Sequence, residues 1–457
     1  MINLKDIRDI YFIGIGGIGM SALARYFHSL GIKVSGYDKT PSPLTLELEA
    51  AGMEIHYTDD LASAPRDADA VVFTPAIPAG HAELNFYREN GYPVMKRSDV
   101  LQIISEHAFN ICVAGTHGKT TISTMIAHIL RDTGYGCNAF LGGISSNYHT
   151  NFWSHERNLC VIEADEYDRS FLKLSPDIAI ISAMDPDHLD IYGTASEMED
   201  AYIKFVQKIR VGGLLISREG LKREDEFVAD QHDKYSITPG YATVYTRNLR
   251  IEQGSYSFDV QWRTKELNSI QLNVGGIHNV ENMVAAIAVA MHLGIECDLI
   301  RKAVASYRGV KRRFEFIVKS EEQVYVDDYA HHPEELRSLI KSVKMMYPDK
   351  QCIVIFQPHL FSRTKDLANE FAEVLDLADE VLLLPIYPAR ELPVPRVTSQ
   401  LISELMENRK VALLEKDEVM EWVKSEAGKM RGEKVLVTAG AGDIDRLVEL
   451  IKKILSV

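Results

Sequence analysis

The stretch that most restricts the fold is residues 109–121. An apolar, strand-like run, FNICVAG (109–115), leads into Gly115-Thr116-His117-Gly118-Lys119-Thr120-Thr121, and a helical pattern follows. Backbone N–H groups of such a loop wrap phosphate oxygens. The lysine at the head of the helix reaches the β- and γ-phosphates, and the next hydroxyl binds Mg²⁺. Lys119 and Thr120 fill those two places. The full phosphate-loop pattern wants a glycine five residues before Gly118, where this chain has Val113, so the strict form is not met. The GKTT core in a strand–loop–helix context still predicts a nucleoside triphosphate site, and with it a layered α/β fold.

The rest of the chain repeats this alternation. Short β-branched or aromatic runs at 10–16, 32–38 and 70–76 form a first set. Runs at 109–115, 159–166, 178–185 and 212–217 form a second, and runs at 324–330, 351–359, 380–387 and 434–443 a third. Residues 218–234 are charge-rich, and the next forty alternate in short β pairs such as SYSFDVQW (255–262) before a helix near Asn279. A chain of 457 residues holds two to four domains on length alone. The pattern predicts three doubly wound α/β domains: 1–107 Rossmann-like, 108–310 P-loop ATPase-like with a small antiparallel insert, and 311–457 Rossmann-like.

A second glycine-rich turn follows the first strand: Gly14-x-Gly16-x-x-Gly19, then a helical pattern over Met20–Leu30 and a strand ending at Asp38. Gly14 permits the tight turn, Gly16 lets backbone approach a diphosphate, and Gly19 lets the helix pack on the strand. Asp38, 19 residues past Gly19, stands where an acid would take a ribose hydroxyl. Alone, this motif reads as an NAD-dependent oxidoreductase. What it secures is a diphosphate, whichever nucleotide carries it.

Two acidic clusters end neighbouring predicted strands: Glu163-Ala164-Asp165-Glu166, and Asp185-Pro186-Asp187-His188-Leu189-Asp190. Strands beside a phosphate loop point their C-terminal ends at the nucleotide, where carboxylates hold Mg²⁺. GAGD (440–443) reads as a structural strand-to-helix turn. Lys+Arg 50 against Asp+Glu 65 gives a net charge of −15, which disfavours nucleic acid as a partner. Five dispersed cysteines without a CxxC pair predict a reduced, cytoplasmic protein without a structural metal. No run is long and apolar enough for a membrane, and MINLKDIRDIYF has no signal-peptide pattern.

Taken in order, GTHGKTT, EADE, DPDHLD, GIHNVEN, KRRFE, DDYAHHP and FQPH…RT resemble the Mur ligases of peptidoglycan synthesis over essentially the whole chain. The resemblance implies a cytoplasmic, monomeric or homodimeric enzyme that uses ATP and Mg²⁺ (or Mn²⁺). Its implied reaction joins L-alanine to the lactyl carboxylate of UDP-N-acetylmuramic acid through an acyl phosphate. The diphosphate at Gly14, Gly16, Gly17 and Gly19, with Asp38, would then belong to UDP, with no hydride chemistry. Lys119, Glu163, His188 and Arg313 would be catalytic, with Thr120, Glu163 and His188 on the metal. ATP would be held by Gly115, Thr116, His117, Gly118, Lys119, Thr120, Thr121, Asn279, Asn282, Arg313 and Asp328. The third domain would close over the nucleotide through Arg313 and Asp328.

Tyr329, His331 and Arg363 match positions near the incoming amino acid, Arg363 on its carboxylate, with a base for its amine near Tyr329 or His331. Asn279 and Asn282 share a helix face, which suits adenine recognition, and Asn279 equally suits a helix cap. Two departures bear on substrate contacts: Leu360 follows FQPH where the family has arginine, and Thr74-Pro75 replaces Ser-Ser. A muropeptide ligase that adds a tripeptide to the same UDP-sugar is the alternative within the family. The NAD-dependent oxidoreductase, which leaves GKTT, EADE and DPDH without a role, is the alternative outside it.

Overall fold

The structure is a computed structural model that describes residues 6–186, 189–252, 254–389, 391–407, 410–426 and 431–456. Three sheets carry the architecture. The first is wholly parallel, in the order Glu54–His56, Lys33–Tyr37, Asp9–Ile13, Ala70–Phe73, Val94–Lys96. Ile10, Tyr11, Phe12 and Ile13 are fully buried, as expected of a central strand covered on both faces. Chain order reverses between Asp9–Ile13 and Ala70–Phe73, and a doubly wound sheet opens its ligand crevice at such a point. Gly14 stands directly there.

The second sheet has ten strands. Its parallel core sets Phe109–Ala114, the strand of the phosphate loop, between Leu159–Glu163 and Ile178–Ile181. Both acidic clusters therefore emerge beside that loop. Two features were not legible in the sequence. An edge pair, Asn138–Ser145 antiparallel to Thr150–Trp153, is interrupted by Gly142-Gly143 and shows no sustained alternation. Gln231–Ser236 pairs parallel with Leu214–Arg218, inside the charge-rich region. It is hidden because one buried position is Asp233, which accepts hydrogen bonds from Trp262 Nε1 at 3.0 Å and Arg263 at 2.9 Å. Beyond it, Val244–Glu252, Ser255–Trp262 and Lys265–Leu272 are sheet neighbours joined by two-residue connections. Only antiparallel strands can be joined so tightly, so the insert begins one strand later than the alternation predicts.

The third sheet runs Glu315–Lys319, Val324–Asp328, Lys434–Ala439, Gln351–Phe356, Glu380–Leu383, Val411–Leu413, with only the first pair antiparallel. The chain packs as two compact units: Met1–Arg247, Asp259–Asn268 and Glu281–Val304; and Asn248–Phe258, Ser269–Val280 and Ala305–Val457. All five cysteines are free thiols. Among the described residues, no helix is long and apolar enough to cross a membrane.

Candidate active site

In the first unit, Gly115 and Gly118 take φ of +136° and +83°, and the helix Lys119–Asp132 starts at Gly118 with no side-chain cap. Side chains are excluded here for a second reason. A Cβ on Gly115 would stand 2.8 Å from the Ala183 nitrogen, and one on Gly118 would stand 3.0 Å from Asn282 Oδ1. The loop is also tied to its neighbouring strand ends. Thr116 N–H donates to the Ala183 carbonyl at 3.1 Å, and the Thr116 hydroxyl accepts from Asp185 N–H at 3.1 Å. The Ser182 hydroxyl donates to the His117 carbonyl.

Lys119 Nζ donates to the Gly115 carbonyl at 2.7 Å and to the carboxylate of Glu166 at 2.8 Å. Glu163 accepts from Gly142 N–H at 3.0 Å. Burial pushes the Glu163 carboxyl up from its ordinary value, against the pull of Lys119 and a hydrogen bond with Thr120. An acid held anionic only with effort, beside a hydroxyl at the mouth of a phosphate loop, fits a divalent cation. The sequence put Thr120, Glu163 and His188 on that ion. Thr120 and Glu163 are together, while His188 and Asp187 lie outside the described residues. The described residues contain no preassembled group of three His, Cys, Asp or Glu for a metal. A site completed by ATP oxygens needs none.

The glycine turn of the first sheet has the expected backbone. Gly14 has φ +88° and approaches Thr74, whose Cγ2 would stand 3.0 Å from a Cβ at that position. The helix Ile18–Ser29 starts at Gly17 without a side-chain cap, so its first N–H groups face outward. Asp38 does something the spacing did not reveal: its Oδ2 accepts Gly16 N–H at 2.8 Å, bracing the turn from within. Asn282 lies against Gly118, whereas Asn279 Nδ2 donates to the Gly275 carbonyl at 2.6 Å.

In the second unit, Asp328 accepts from Phe314 N–H and Ala330 N–H, both at 2.7 Å, and burial raises its carboxyl to about 6. Arg312 and Arg313 lie over the Tyr329 ring at 5.2 and 5.7 Å. Tyr329, His331 and Arg363 come together, joined by two residues that the sequence reading did not single out. The His331 and His359 rings are 5.8 Å apart, and His359 stacks on Tyr387 at 5.9 Å. Among the described residues, His359 Nδ1 and Arg363 Nη1 are buried with no hydrogen-bond partner. Buried donors left open in this way suit a small carboxylate ligand. Burial lowers His331 from its ordinary value while Glu335, 3.3 Å away, opposes the shift, so the imidazole is neutral. Leu360 carries φ +69°, an uncommon backbone for a γ-branched residue, and its N–H donates to the Tyr387 carbonyl at 2.9 Å. GAGD behaves as a structural turn: Gln357 bonds Asp443 and Ile444 N–H, both at 2.9 Å.

Comparison with known proteins places the chain in a family. Residues 9–108 match the Mur ligase family catalytic domain, 113–290 the Mur ligase middle domain, and 312–442 the Mur ligase glutamate ligase domain. The chain is 46% identical over 463 residues to the UDP-N-acetylmuramate–L-alanine ligase of Cytophaga hutchinsonii, covering 99% of this chain and 97% of that protein. It is 46% identical over 456 residues to the protein of the same name from Porphyromonas gingivalis, covering 98% and 99%. Among solved structures, the UDP-N-acetylmuramate-alanine ligase of Thermotoga maritima superposes with TM-score 0.80 at 27% identity, over 98% of both chains. A murein peptide ligase from Psychrobacter arcticus shares the fold at TM-score 0.66 and 22% identity, again over 98% of both. Matched from end to end in both sequence and architecture, the chain belongs to the Mur ligase family.

Proposed function

We propose that the protein joins L-alanine to the lactyl carboxylate of UDP-N-acetylmuramic acid at the expense of ATP, a step of peptidoglycan precursor synthesis. Residues 1–107 hold the UDP-sugar, 108–310 hold ATP, and 311–457 hold the amino acid and close the site. The observation that carries this reading is Lys119 at the mouth of a phosphate loop beside the recessed Glu163. The first sheet and the parallel core of the second would supply separate sites for a diphosphate and a triphosphate.

A carboxylate does not condense with an amine at neutral pH, because the oxygen it would lose is too poor a leaving group. In this reading a lactyl oxygen attacks the γ-phosphorus and ADP leaves, giving an acyl phosphate. The neutral amine of alanine then attacks the acyl carbon and phosphate departs. Two anionic groups, the lactyl carboxylate and the γ-phosphate, must meet for the first step, so the protein's part is electrostatic. Lys119 and Arg313 offset phosphate charge, while Glu163, Thr120 and His188 would hold Mg²⁺, which neutralises phosphate oxygens when bound. Asn279, Asn282 and Asp328 serve the nucleoside. Arg363 takes the alanine carboxylate, Tyr329 lines that site, and neutral His331 accepts the amine proton. Release of phosphate from ATP, Mg²⁺ and UDP-N-acetylmuramic acid, scanned across amino acids, tests the assignment. Turnover with alanine supports it, and turnover only with a tripeptide replaces it with the muropeptide ligase.

A further inference from the structure

A phosphate loop works only if its carbonyl oxygens turn away from the anion and its N–H groups turn toward it. A peptide unit is planar and trans, so its C=O and N–H point in opposite directions. Whatever grips a loop carbonyl therefore also aims the N–H of the next residue. Here the carbonyls of Ala114, Gly115, His117 and Gly118 are all gripped. Ala114 accepts Ser182 N–H at 3.1 Å and Gly118 accepts Ile122 N–H at 2.9 Å, backbone contacts open to almost any residue. The Gly115 carbonyl is taken by Lys119 Nζ at 2.7 Å. The His117 carbonyl is taken by a side chain from outside the loop, the hydroxyl of Ser182.

Sheet register brings Ser182 there. The strand Ile178–Ile181 pairs parallel with Phe109–Ala114, Ile181 against Ala114, so the next residue of each strand is Ser182 beside Gly115. Ser182 is buried, and its Oγ also lies 3.3 Å from the Ala114 carbonyl. Gly115 makes room for it, because a Cβ at that position would collide with Ser182 Oγ. On the other side of the gripped peptide unit, Gly118 N–H has no hydrogen-bond partner among the described residues. Gly118 itself, at φ +83°, gives that unit freedom to rotate. A unit that rotates easily needs a lock, and the Ser182 hydroxyl is the side chain that supplies one.

We propose that Ser182 is a positioning residue for the nucleotide phosphates: by holding the His117 carbonyl, its hydroxyl aims Gly118 N–H at the α- and β-phosphates. This rests on the assignment of residues 115–121 to ATP and adds to it a residue that acts through the loop without touching the ligand. Without the hydroxyl, the His117 carbonyl loses its partner and the peptide unit is free to turn. A turned unit presents an oxygen to the phosphates where a donor stood, so contact becomes repulsion. The effect is confined to phosphate, because adenine and ribose meet other parts of the chain.

The test compares Ser182→Ala and Ser182→Cys with the unaltered protein. ADP affinity is read by calorimetric titration, adenosine affinity by competition with ADP, and KM for each substrate in turnover. Loss of one aimed N–H weakens ADP binding, and raises KM for ATP, by about tenfold. Adenosine affinity and the KM values for UDP-N-acetylmuramic acid and alanine, which share no contact with the loop, stay within about twofold. Cysteine, a weak donor of similar size, gives a smaller loss in the same direction. Equal weakening of ADP and adenosine, or no change in ADP affinity, overturns the role of Ser182. Should Ser182→Ala not fold, a cysteine variant that matches the unaltered protein toward ADP overturns it equally. If the unaltered protein binds ADP no more tightly than adenosine, the assignment of the phosphate loop itself fails, a result separate from any effect of the substitutions.

Discussion

Lys119 Nζ lies 2.8 Å from the carboxylate of Glu166, a residue only 1% exposed. The lysine proposed for the phosphate is thus held by a buried acid three residues beyond Glu163. Removing either partner of such a pair leaves the other uncompensated and costs about 3–5 kcal/mol. Lys119→Ala is accordingly expected to lower the melting temperature as well as abolish phosphate release. The double variant Lys119→Ala with Glu166→Gln should regain much of the stability and none of the activity. A single Lys119→Ala variant retaining more than about a tenth of turnover would remove Lys119 from the chemistry.

Among the described residues, Arg363 has a buried Nη1 without a hydrogen-bond partner, and His359 beside it has an Nδ1 likewise without one. Arg363→Ala is expected to raise KM for L-alanine about 10- to 100-fold, the worth of a charge-assisted contact, and to leave KM for ATP nearly unchanged. Steady-state kinetics with each substrate varied in turn checks this. An unaltered KM for alanine takes Arg363 out of the amino-acid site.

Gly142 donates its N–H to Glu163 at 3.0 Å, and a Cβ at Gly142 would stand 2.5 Å from the Glu163 carboxyl carbon. Gly142→Ala must therefore displace the carboxylate. The Mg²⁺ concentration for half-maximal activity should rise by about tenfold, the effect known for residues that orient a metal ligand. Titration of chelated enzyme with Mg²⁺ reads this directly. An unshifted curve with reduced maximal rate would mean that Glu163 is not on the metal.

Asp327 is 1% exposed, and burial raises its carboxyl to about 7 despite Arg312 at 3.2 Å and the Thr438 hydroxyl at 2.6 Å. In an unfolded chain the same group titrates near about 4. Between those values the folded state holds a proton that the unfolded state has released. Stability from this group is thus present at low pH and lost as pH rises toward 7, at up to about 1.4 kcal/mol per pH unit. Asp327→Asn removes that dependence. Urea unfolding of both proteins at pH 5 and pH 7.5 should give a stability difference that shifts in favour of the variant at the higher pH. A difference equal at both pH values rules the assignment out.

The fold was largely readable because α/β alternation is written in local pattern. Ile10–Ile13 and Phe109–Ala114 are apolar runs that could only be central strands, and each feeds a glycine turn. Gln231–Ser236 escaped because its buried Asp233 is made tolerable by Trp262 and Arg263, partners that no window of sequence contains. Asn138–Ser145 escaped because Gly142, the residue that breaks its pattern, is required by Glu163. Both misses come from positions where a distant contact overrides local preference.

What the sequence alone determined is the set of structures that depend on neighbours along the chain. Gly115 and Gly118 adopt positive φ because a phosphate loop bends the backbone there, and Lys119 opens the helix that follows. The tertiary structure alone decided which side chains these loops would face. Glu166 reaches Lys119 across 47 residues, and Arg97 reaches Asp165 across 68. Sheet order sets those meetings, and sheet order follows from how whole helices and strands bury their apolar faces, a property that no short segment holds by itself.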